Sequence, residues 1–124
     1  MKKKNKILIV DDAKALAENL GDTLSMEGYT VSVLNDGISA LSFLEKETPD
    51  IIITDLIMPN MNGFELMQEI KKIKRLNHTK LIAVSADLDE DRIKKGTSAG
   101  ADLFFSKPFD EEALLTALHK LANG

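Results

Sequence analysis

The stretch IIITDLIMPN, residues 51–60, carries the clearest fold signal in this chain. Four consecutive β-favouring residues, 51–54, lack the apolar–polar alternation of a half-exposed strand, so they predict a central strand of a parallel sheet that is covered on both faces. Asp55 is the first charge at the carboxyl end of that strand. Ligands of open parallel sheets bind outside the carboxyl ends of the strands. Asp55 is therefore either a turn residue or part of a site, and its position alone favours neither.

Short β-rich runs alternate with amphipathic stretches along the rest of the chain. Four further strands are predicted, at residues 7–10, 29–34, 81–84 and 103–105. The second of these is mixed with polar residues, as in a strand near a sheet edge. Helices follow the five strands, over residues 13–27, 38–47, 62–74, 89–99 and 110–121, and their predicted apolar stripes include Leu16, Ile38, Ile73 and Ile93. The alternation predicts a (βα)5 fold of class α/β, a doubly wound five-stranded parallel sheet between two layers of helices.

Composition limits the class of protein. A length of 124 residues predicts one domain, placed at residues 6–123 after a short basic lead-in at 1–5, with no output domain. A net charge of −4 gives no general attraction for nucleic acid or anionic membrane. The chain has no Cys, and its N-terminal apolar run is far too short for a signal or membrane segment, which favours a cytoplasmic protein.

Reactive side chains stand at the ends of four predicted strands. Asp11 and Asp12 follow the first strand, Asp55 the third, Ser85 the fourth and Lys107 the fifth. Because parallel strands end at one edge of the sheet, these groups should meet there. Three carboxylates in one cleft repel one another unless a cation or protons intervene. Oxygen ligands without any thiolate favour Mg²⁺.

An aspartate beside a cation, an ammonium and a hydroxyl has what a phosphoryl acceptor needs. Phosphoryl transfer requires mainly positioning and neutralisation of the phosphoryl oxygens, which a metal ion, Lys107 and Ser85 can share. Taken singly, each of these residues is more simply explained as a turn residue, a helix cap or a solvated charge. Their placement together at the strand ends of one sheet favours a functional site. His78 and His119 are interpreted as ordinary surface or packing residues.

Four segments resemble, in order and spacing, the receiver domain of bacterial two-component response regulators, of the single-domain, chemotaxis-regulator type. They are ILIVDDA (residues 7–13), IIITDLIMPNMNGFEL (51–66), LIAVSA (81–86) and GADLFFSKPFD (100–110). The resemblance covers nearly the full length. It implies a flavodoxin-like topology with strand order 2-1-3-4-5.

The resemblance also implies roles for the acidic residues. Asp55 would accept a phosphoryl group from a phosphohistidine of a sensor histidine kinase or a histidine phosphotransfer protein. Asp12 would hold Mg²⁺ directly and Asp11 through water. Asp55 itself and the backbone carbonyl of Ile57 would complete the protein ligands of the metal.

The resemblance implies a switch as well. Ser85 matches the hydroxyl that moves toward the phosphoryl group, and Phe104 the aromatic that swings inward with it, although simple core packing explains Phe104 equally well. Lys107 matches the family's lysine, and the Lys107–Pro108 bond is expected to be cis. Ile57 and Asp87 would flank the path of the attacking water, where Asp87 could take a proton from it or repel an anion.

The function implied is a signalling receiver that promotes only its own phosphorylation and dephosphorylation, and not a classical enzyme. Its output face would be formed by the fourth helix, fifth strand and fifth helix, which would contact a downstream protein or pass the phosphoryl group on in a relay. No direct contact with nucleic acid or membrane is expected. The chain would be a monomer or a phosphorylation-linked dimer.

Three other functions remain open at this point. A flavodoxin-like cofactor binder would share the topology, but the acidic pair after the first strand would repel a phosphate group. A metal-dependent aspartyl-phosphate phosphatase would use similar residues, but it usually has an Asp-x-Asp motif, which Asp11-Asp12 lacks. A receiver-like interaction module that makes no use of phosphate would normally have lost part of the constellation.

Overall fold

Strands and α-helices alternate five times in the computed structural model, which describes residues 5–123 apart from the Asn123 side chain. Lys2, Lys3 and Lys4 of the predicted lead-in lie outside the described residues. The strands are β1 (Lys6–Val10), β2 (Thr30–Leu34), β3 (Ile51–Asp55), β4 (Lys80–Ser85) and β5 (Leu103–Ser106). The helices are α1 (Lys14–Met26), α2 (Gly37–Leu44), α3 (Gly63–Lys71), α4 (Glu90–Ala99) and α5 (Glu111–Asn123).

The five strands form one parallel sheet in the order β2-β1-β3-β4-β5. This confirms the predicted (βα)5 class and the strand order 2-1-3-4-5. The register aligns the carboxyl ends, since Thr54 lies beside Val10 and Asp55 beside Val84. The last residues of β4 and β5 are also partners. Residues that follow the strands are therefore brought to one edge of the sheet.

The central position of β3 follows from its composition. All five of its residues are buried, as the absence of alternation predicts. Ile52 belongs to an apolar cluster that α2, α3 and α4 cover, whereas Ile53 belongs to a second cluster under α1 and α5. β2 is only half-buried, which agrees with its predicted place at an edge.

The predicted apolar stripe of α1 is partly wrong. The helix begins at Lys14, one residue later than predicted, and Ala13 is its N-cap. Leu16 is 62% exposed, while Ala17 is buried in the core. Neighbouring residues differ by about 100° around a helix, so Leu16 lies on a more exposed side of α1 than Ala17.

The second helix is shorter than predicted. It ends at Leu44 and not near residue 47, and Ile38 of its predicted stripe is 60% exposed. The Arg75 guanidinium contacts the carbonyl oxygens of Leu44 and Glu47, so the backbone after the helix is held by a distant side chain. Sequence periodicity contains no sign of this long-range contact.

The third helix has the predicted start but a different end. Asn62 is its N-cap, and its side chain forms a reciprocal capping box with Glu65. The helix ends at Lys71, so Ile73 and Lys74, which were placed in it, lie beyond. An unpredicted 3₁₀ helix, Lys74–Leu76, follows. Its last residue is only 1% exposed and supplies the core contact that the longer helix was expected to make.

The fourth helix has both predicted ends but a different buried face. Asp89 is the N-cap, and Gly100 ends the helix with φ of 114°, a left-handed conformation that favours glycine. Ile93, the predicted apolar contact, is 39% exposed. The buried residues are Gly96 and Ala99, because this helix approaches the sheet closely enough for small residues to fill the gap.

The fifth helix packs as its sequence indicates. The Asp110 side chain accepts a hydrogen bond from the backbone N–H of Glu112 (3.0 Å) at the start of the helix, as expected of a capping residue. Leu114 and Leu118 are fully buried in the cluster shared with α1. Every helix among residues 5–123 is too short or too polar to cross a lipid bilayer.

Candidate functional site

The predicted constellation assembles at the carboxyl edge of the sheet. One carboxylate oxygen each from Asp11, Asp12 and Asp55 lies within 4.8 Å of the other two. Asp11 and Asp55 are buried, with exposures of 6% and 8%, whereas Asp12 is exposed. Within residues 5–123, this trio is the single group of acidic, histidine or cysteine residues that is close enough to share a metal ion.

The trio fits a small hard cation. Oxygens at neighbouring positions of an octahedral Mg²⁺ are about 3 Å apart, so the three carboxylate oxygens, which lie within 4.8 Å of one another, would move closer together to share one ion. All the donors are oxygens, which Mg²⁺ prefers, and one of them faces solvent, where water can complete the coordination. Neither His78 nor His119 belongs to the group.

The Lys107 ammonium joins two of these carboxylates. Its Nζ donates to Asp11 Oδ2 at 2.6 Å and to Asp55 Oδ2 at 2.9 Å. The lysine backbone is fixed by a 2.8 Å hydrogen bond from its N–H to the Ser85 carbonyl. The Lys107–Pro108 bond is cis, as the sequence resemblance implies. The end of β5 therefore delivers one positive charge between β1 and β3.

The electrostatics of Asp55 and Lys107 differ from those of a simple ion pair. Burial raises the pKa of Asp55 and Asp11 adds to the rise, while hydrogen bonds from Lys107 and the Ile57 N–H oppose it; the net shift is upward. Burial alone would lower the pKa of Lys107, but its hydrogen bonds to Asp11 and then Asp55 outweigh that effect and raise it. Two carboxylates keep the shared ammonium charged. That one ammonium does not fully offset the effect of burial on the pKa of Asp55.

Ile57 contributes a backbone donor that the sequence did not predict. Its N–H donates to Asp55 Oδ1 at 3.1 Å, so each oxygen of the Asp55 carboxylate has its own donor. The Ile57 side chain is 55% exposed and offers no polar atom to water. The predicted role of its carbonyl as a metal ligand stays a prediction.

Ser85 and Phe104 are the two residues predicted to form a switch, and they lie at the end of β4 and within β5. Ser85 is 1% exposed, and its Oγ accepts a 3.3 Å hydrogen bond from the Asp87 N–H. Phe104 is partly buried against the cluster beneath α3 and α4. Its ring lies so close to Gly96 that a Cβ there would come within 2.5 Å of the ring. The aromatic side chain of β5 is thus in direct contact with α4.

Two residues that support the site were missed. A Cβ on Gly63 would come within 2.2 Å of the Asp55 carbonyl oxygen, so only glycine lets α3 start so close to the end of β3. The Asn-Gly pair at 62–63 was the available signal, but only the start of a helix was predicted there. Asn35 donates from Nδ2 to the Asp11 carbonyl at 2.9 Å, and no local pattern pointed to this contact.

Fold and site together define a class of protein, a doubly wound receiver fold with an acidic cluster and a lysine at the carboxyl edge of its sheet. The chain belongs to the response regulator receiver domain family, which it matches over residues 7–119. This confirms the family predicted from the four sequence segments.

Curated relatives and solved structures agree with this family. The chain is 38% identical to the regulatory protein VanRc of Enterococcus gallinarum, over 85% of this chain and 44% of that protein. It is 34% identical to the response regulator MprA of Mycobacterium ulcerans, over 94% and 49% respectively. The chain thus spans about half the length of these curated relatives.

Two solved structures are similar over more than nine-tenths of both chains. The chemotaxis response regulator CheY4 of Vibrio cholerae superimposes with a TM-score of 0.88 at 31% identity, covering 94% of this chain and 98% of that one. The receiver domain of a signal transduction histidine kinase from Syntrophus aciditrophicus gives 0.89 at 32% identity, covering 97% and 91%.

Family membership settles the general kind of function. Receiver domains are signalling switches and not classical enzymes, and phosphorylation and Mg²⁺ binding are general features of the family.

Proposed function

We propose that this chain is a phosphorylation-dependent switch that accepts a phosphoryl group on Asp55 from a histidine kinase or a histidine phosphotransfer protein. The observation that carries the proposal is the shared ammonium of Lys107, which contacts Asp55 and Asp11 at 2.9 and 2.6 Å beside the acidic trio. In the transfer, a bond forms between an Asp55 carboxylate oxygen and phosphorus. The bond between phosphorus and the donor imidazole nitrogen breaks, and the electron pair stays on the nitrogen.

The residues around Asp55 have the donors that this step needs. Lys107 can turn from the free carboxylate to a phosphoryl oxygen without leaving the site, because it already spans Asp11 and Asp55. Ser85, at the end of the neighbouring strand β4, has a buried hydroxyl that could donate to a second phosphoryl oxygen. The Ile57 N–H holds the attacking carboxylate in one orientation. Positioned donors of this kind supply most of the catalysis in phosphoryl transfer.

Asp12, Asp11, Asp55 and the Ile57 carbonyl would hold Mg²⁺, with Asp11 acting through water. When bound, this ion offsets the negative charge of the carboxylates and of the incoming phosphoryl group. The burial of Asp55 and Asp11 beside each other explains why the site needs such a charge.

The output of the switch would be the face formed by α4, β5 and α5. Movement of Ser85 toward a phosphoryl group would displace the loop before α4, because the Ser85 hydroxyl accepts a hydrogen bond from the Asp87 N–H in that loop. The Phe104 ring touches α4 at Gly96, so a change in the ring position would change the packing of the same helix. A partner protein would bind this face, or the phosphoryl group would be passed on in a relay.

The experiment is labelling with radioactive acetyl phosphate or phosphoramidate in the presence of Mg²⁺. We expect one phosphoryl group per chain, labile to alkali and to hydroxylamine as an acyl phosphate is, and none in Asp55→Ala. Asp22→Ala, which removes an exposed carboxylate of α1, is the matched control and should label normally. Label that persists at another residue of Asp55→Ala would refute the assignment.

A further inference from the structure

A cavity of about 640 Å³ lies between α1 and α5, on the face of the sheet that the second apolar cluster covers. Its floor is formed by Ile9, Ile53 and Val84, near the carboxyl ends of the three central strands, and none of these is more than 2% exposed. Ala17 and Leu20 of α1 form one wall. Small-molecule sites usually have volumes of about 300–1,000 Å³ and mainly apolar linings. The cavity therefore has the size and the lining of a ligand site.

A second wall is formed by the turn between β5 and α5, which contributes Pro108 and Phe109. The Phe109 ring packs edge-to-face on Phe105, with ring centroids 6.5 Å apart and an angle of 68° between the planes. Such a pair favours one ring orientation, so Phe109 offers a fixed aromatic surface to the cavity. Leu16 lines the cavity too and is 62% exposed, so it lies on the open side, the mouth. Walls of this kind suit a flat apolar ring system.

The polar residues around the cavity leave one charge without a partner. They are Asp11, Asn19, Lys107 and Glu111. The Lys107 ammonium is paired with Asp11 and Asp55, so it has little charge to offer a ligand. Glu111 is exposed at the mouth and forms no ion pair among residues 5–123. Asn19 is exposed as well, and its amide oxygen is a neutral acceptor. The mouth thus favours a ligand that carries a positive charge and donates hydrogen bonds.

We propose that this cavity is a binding site for a small amphipathic amine, with its ring system on the apolar floor and its ammonium group at the mouth beside Glu111. An anion of the same shape is disfavoured because it would face two carboxylates, Asp11 and Glu111. A neutral molecule gains the apolar contacts alone. Binding there requires no phosphoryl group on Asp55, so the site is an addition to the proposed function.

Three indole probes of nearly equal size separate the contributions of shape and charge. Tryptamine, tryptophol and indole-3-acetate carry an ammonium, a hydroxyl and a carboxylate on the same ring. The chain has no Trp, so indole fluorescence excited beyond the absorption of tyrosine reports the probe alone. Each probe is titrated with the full chain at pH 7 in the presence of Mg²⁺. We expect saturable binding of tryptamine, about twofold to fivefold tighter than that of tryptophol, the range for a solvent-exposed ion pair. Indole-3-acetate should bind most weakly.

Two exposed residues at the mouth allow variants that leave the core intact. Leu16→Ser should weaken all three probes roughly fourfold, the effect of returning about one methylene group to water. Met26→Ser is its control, because Met26 is 85% exposed on the same helix and lies outside the cavity. Glu111→Gln should abolish the preference for tryptamine over tryptophol. Glu112→Gln, at an exposed neighbour that does not line the cavity, should keep that preference.

Several results would overturn the site. Tryptamine that does not bind saturably, or that binds no better than indole-3-acetate, would do so, as would equal losses in Leu16→Ser and Met26→Ser. Asp12→Asn removes a carboxylate of the acidic trio outside the cavity, and loss of tryptamine binding in this variant would place the amine at the trio instead. Normal labelling of Asp55 without tryptamine binding rejects the ligand site alone. Tryptamine binding without labelling of Asp55 rejects the proposed function alone.

Discussion

The Lys107 Nζ lies 2.9 Å from Asp55 Oδ2, although 52 residues separate the two in the chain. The same Nζ lies 2.6 Å from Asp11 Oδ2. One ammonium therefore serves two buried carboxylates, and this shared contact links three strand ends of the sheet. Several measurable properties of the protein should depend on it.

Replacement of Lys107 by Met should lower the rate of phosphorylation by acetyl phosphate by roughly 10²-fold, the loss typical of removing one positioned donor from an anionic transition state. Met keeps most of the side-chain volume but has no charge. The rate is measured as incorporation of label with Mg²⁺ present. Lys120→Met, at an exposed position of α5, is the control and should keep the wild-type rate. Equal rates in the two variants would contradict the role of Lys107.

Replacement of Asp55 by Asn should stabilise the protein at neutral pH when metal is chelated. Burial raises the pKa of Asp55, so its ionisation favours the unfolded chain. The stability that this group contributes is fully present below its unfolded pKa, about 3.9, and is lost as pH rises through its higher folded pKa.

The thermal unfolding temperature of Asp55→Asn should therefore exceed that of wild type at pH 7 in EDTA, and the gap should close as the pH falls toward 4. Asp22→Asn changes an exposed carboxylate of α1 and should show no such trend. A variant that is less stable than wild type throughout this range would show that the contact with Lys107 outweighs burial.

Addition of Mg²⁺ should stabilise the wild-type chain. A ligand that binds only the folded state adds about 2.7 kcal/mol at a hundred times its dissociation constant. Asp12→Asn removes the exposed carboxylate of the trio and should abolish most of this gain, while Asp22→Asn should not. The measurement is urea unfolding at increasing Mg²⁺ concentration. No stabilisation of wild type up to tens of millimolar would favour an interaction module that does not use phosphate.

Replacement of Gly63 by Ala should damage both folding and phosphorylation. The new Cβ would lie 2.2 Å from the Asp55 carbonyl oxygen, a backbone atom that cannot move independently of the site. We expect a loss of roughly 1–3 kcal/mol, the usual cost of overpacking. Gly37→Ala is the matched control, because the three atoms nearest to its Cβ, at 2.9 to 3.1 Å, all belong to the flexible Met61 side chain and none to the backbone. Urea unfolding compares the two, and equal losses would contradict the backbone clash.

The elements that the sequence predicted well are those whose signal is local. The uninterrupted apolar run of β3 reports burial on both faces, which is a property of the five residues themselves. The starts of α3 and α4 were correctly predicted at residues 62 and 89, because a capping side chain such as that of Asn62 bonds to backbone only three residues away. Gly100 likewise ends α4 through its own left-handed backbone.

The errors have a common cause, which is that local periodicity does not specify what packs over a helix. Leu16 and Ile38 continue the apolar stripes of α1 and α2, yet no neighbouring element covers them. At the early end of α2, the Leu44 carbonyl is in contact with Arg75, which is 31 residues away in the chain. The Lys74–Leu76 3₁₀ helix is too short to produce a periodic pattern.

The sequence by itself determined the (βα)5 class, the family and which side chains could form the site, because strand patterns and motifs are properties of short contiguous segments. Only the tertiary structure decided which of those side chains pair with one another. The contacts of Lys107 with both Asp11 and Asp55 depend on distances between separate elements. Such distances are fixed by the register of the sheet and the packing of the helices, which no single stretch of sequence contains.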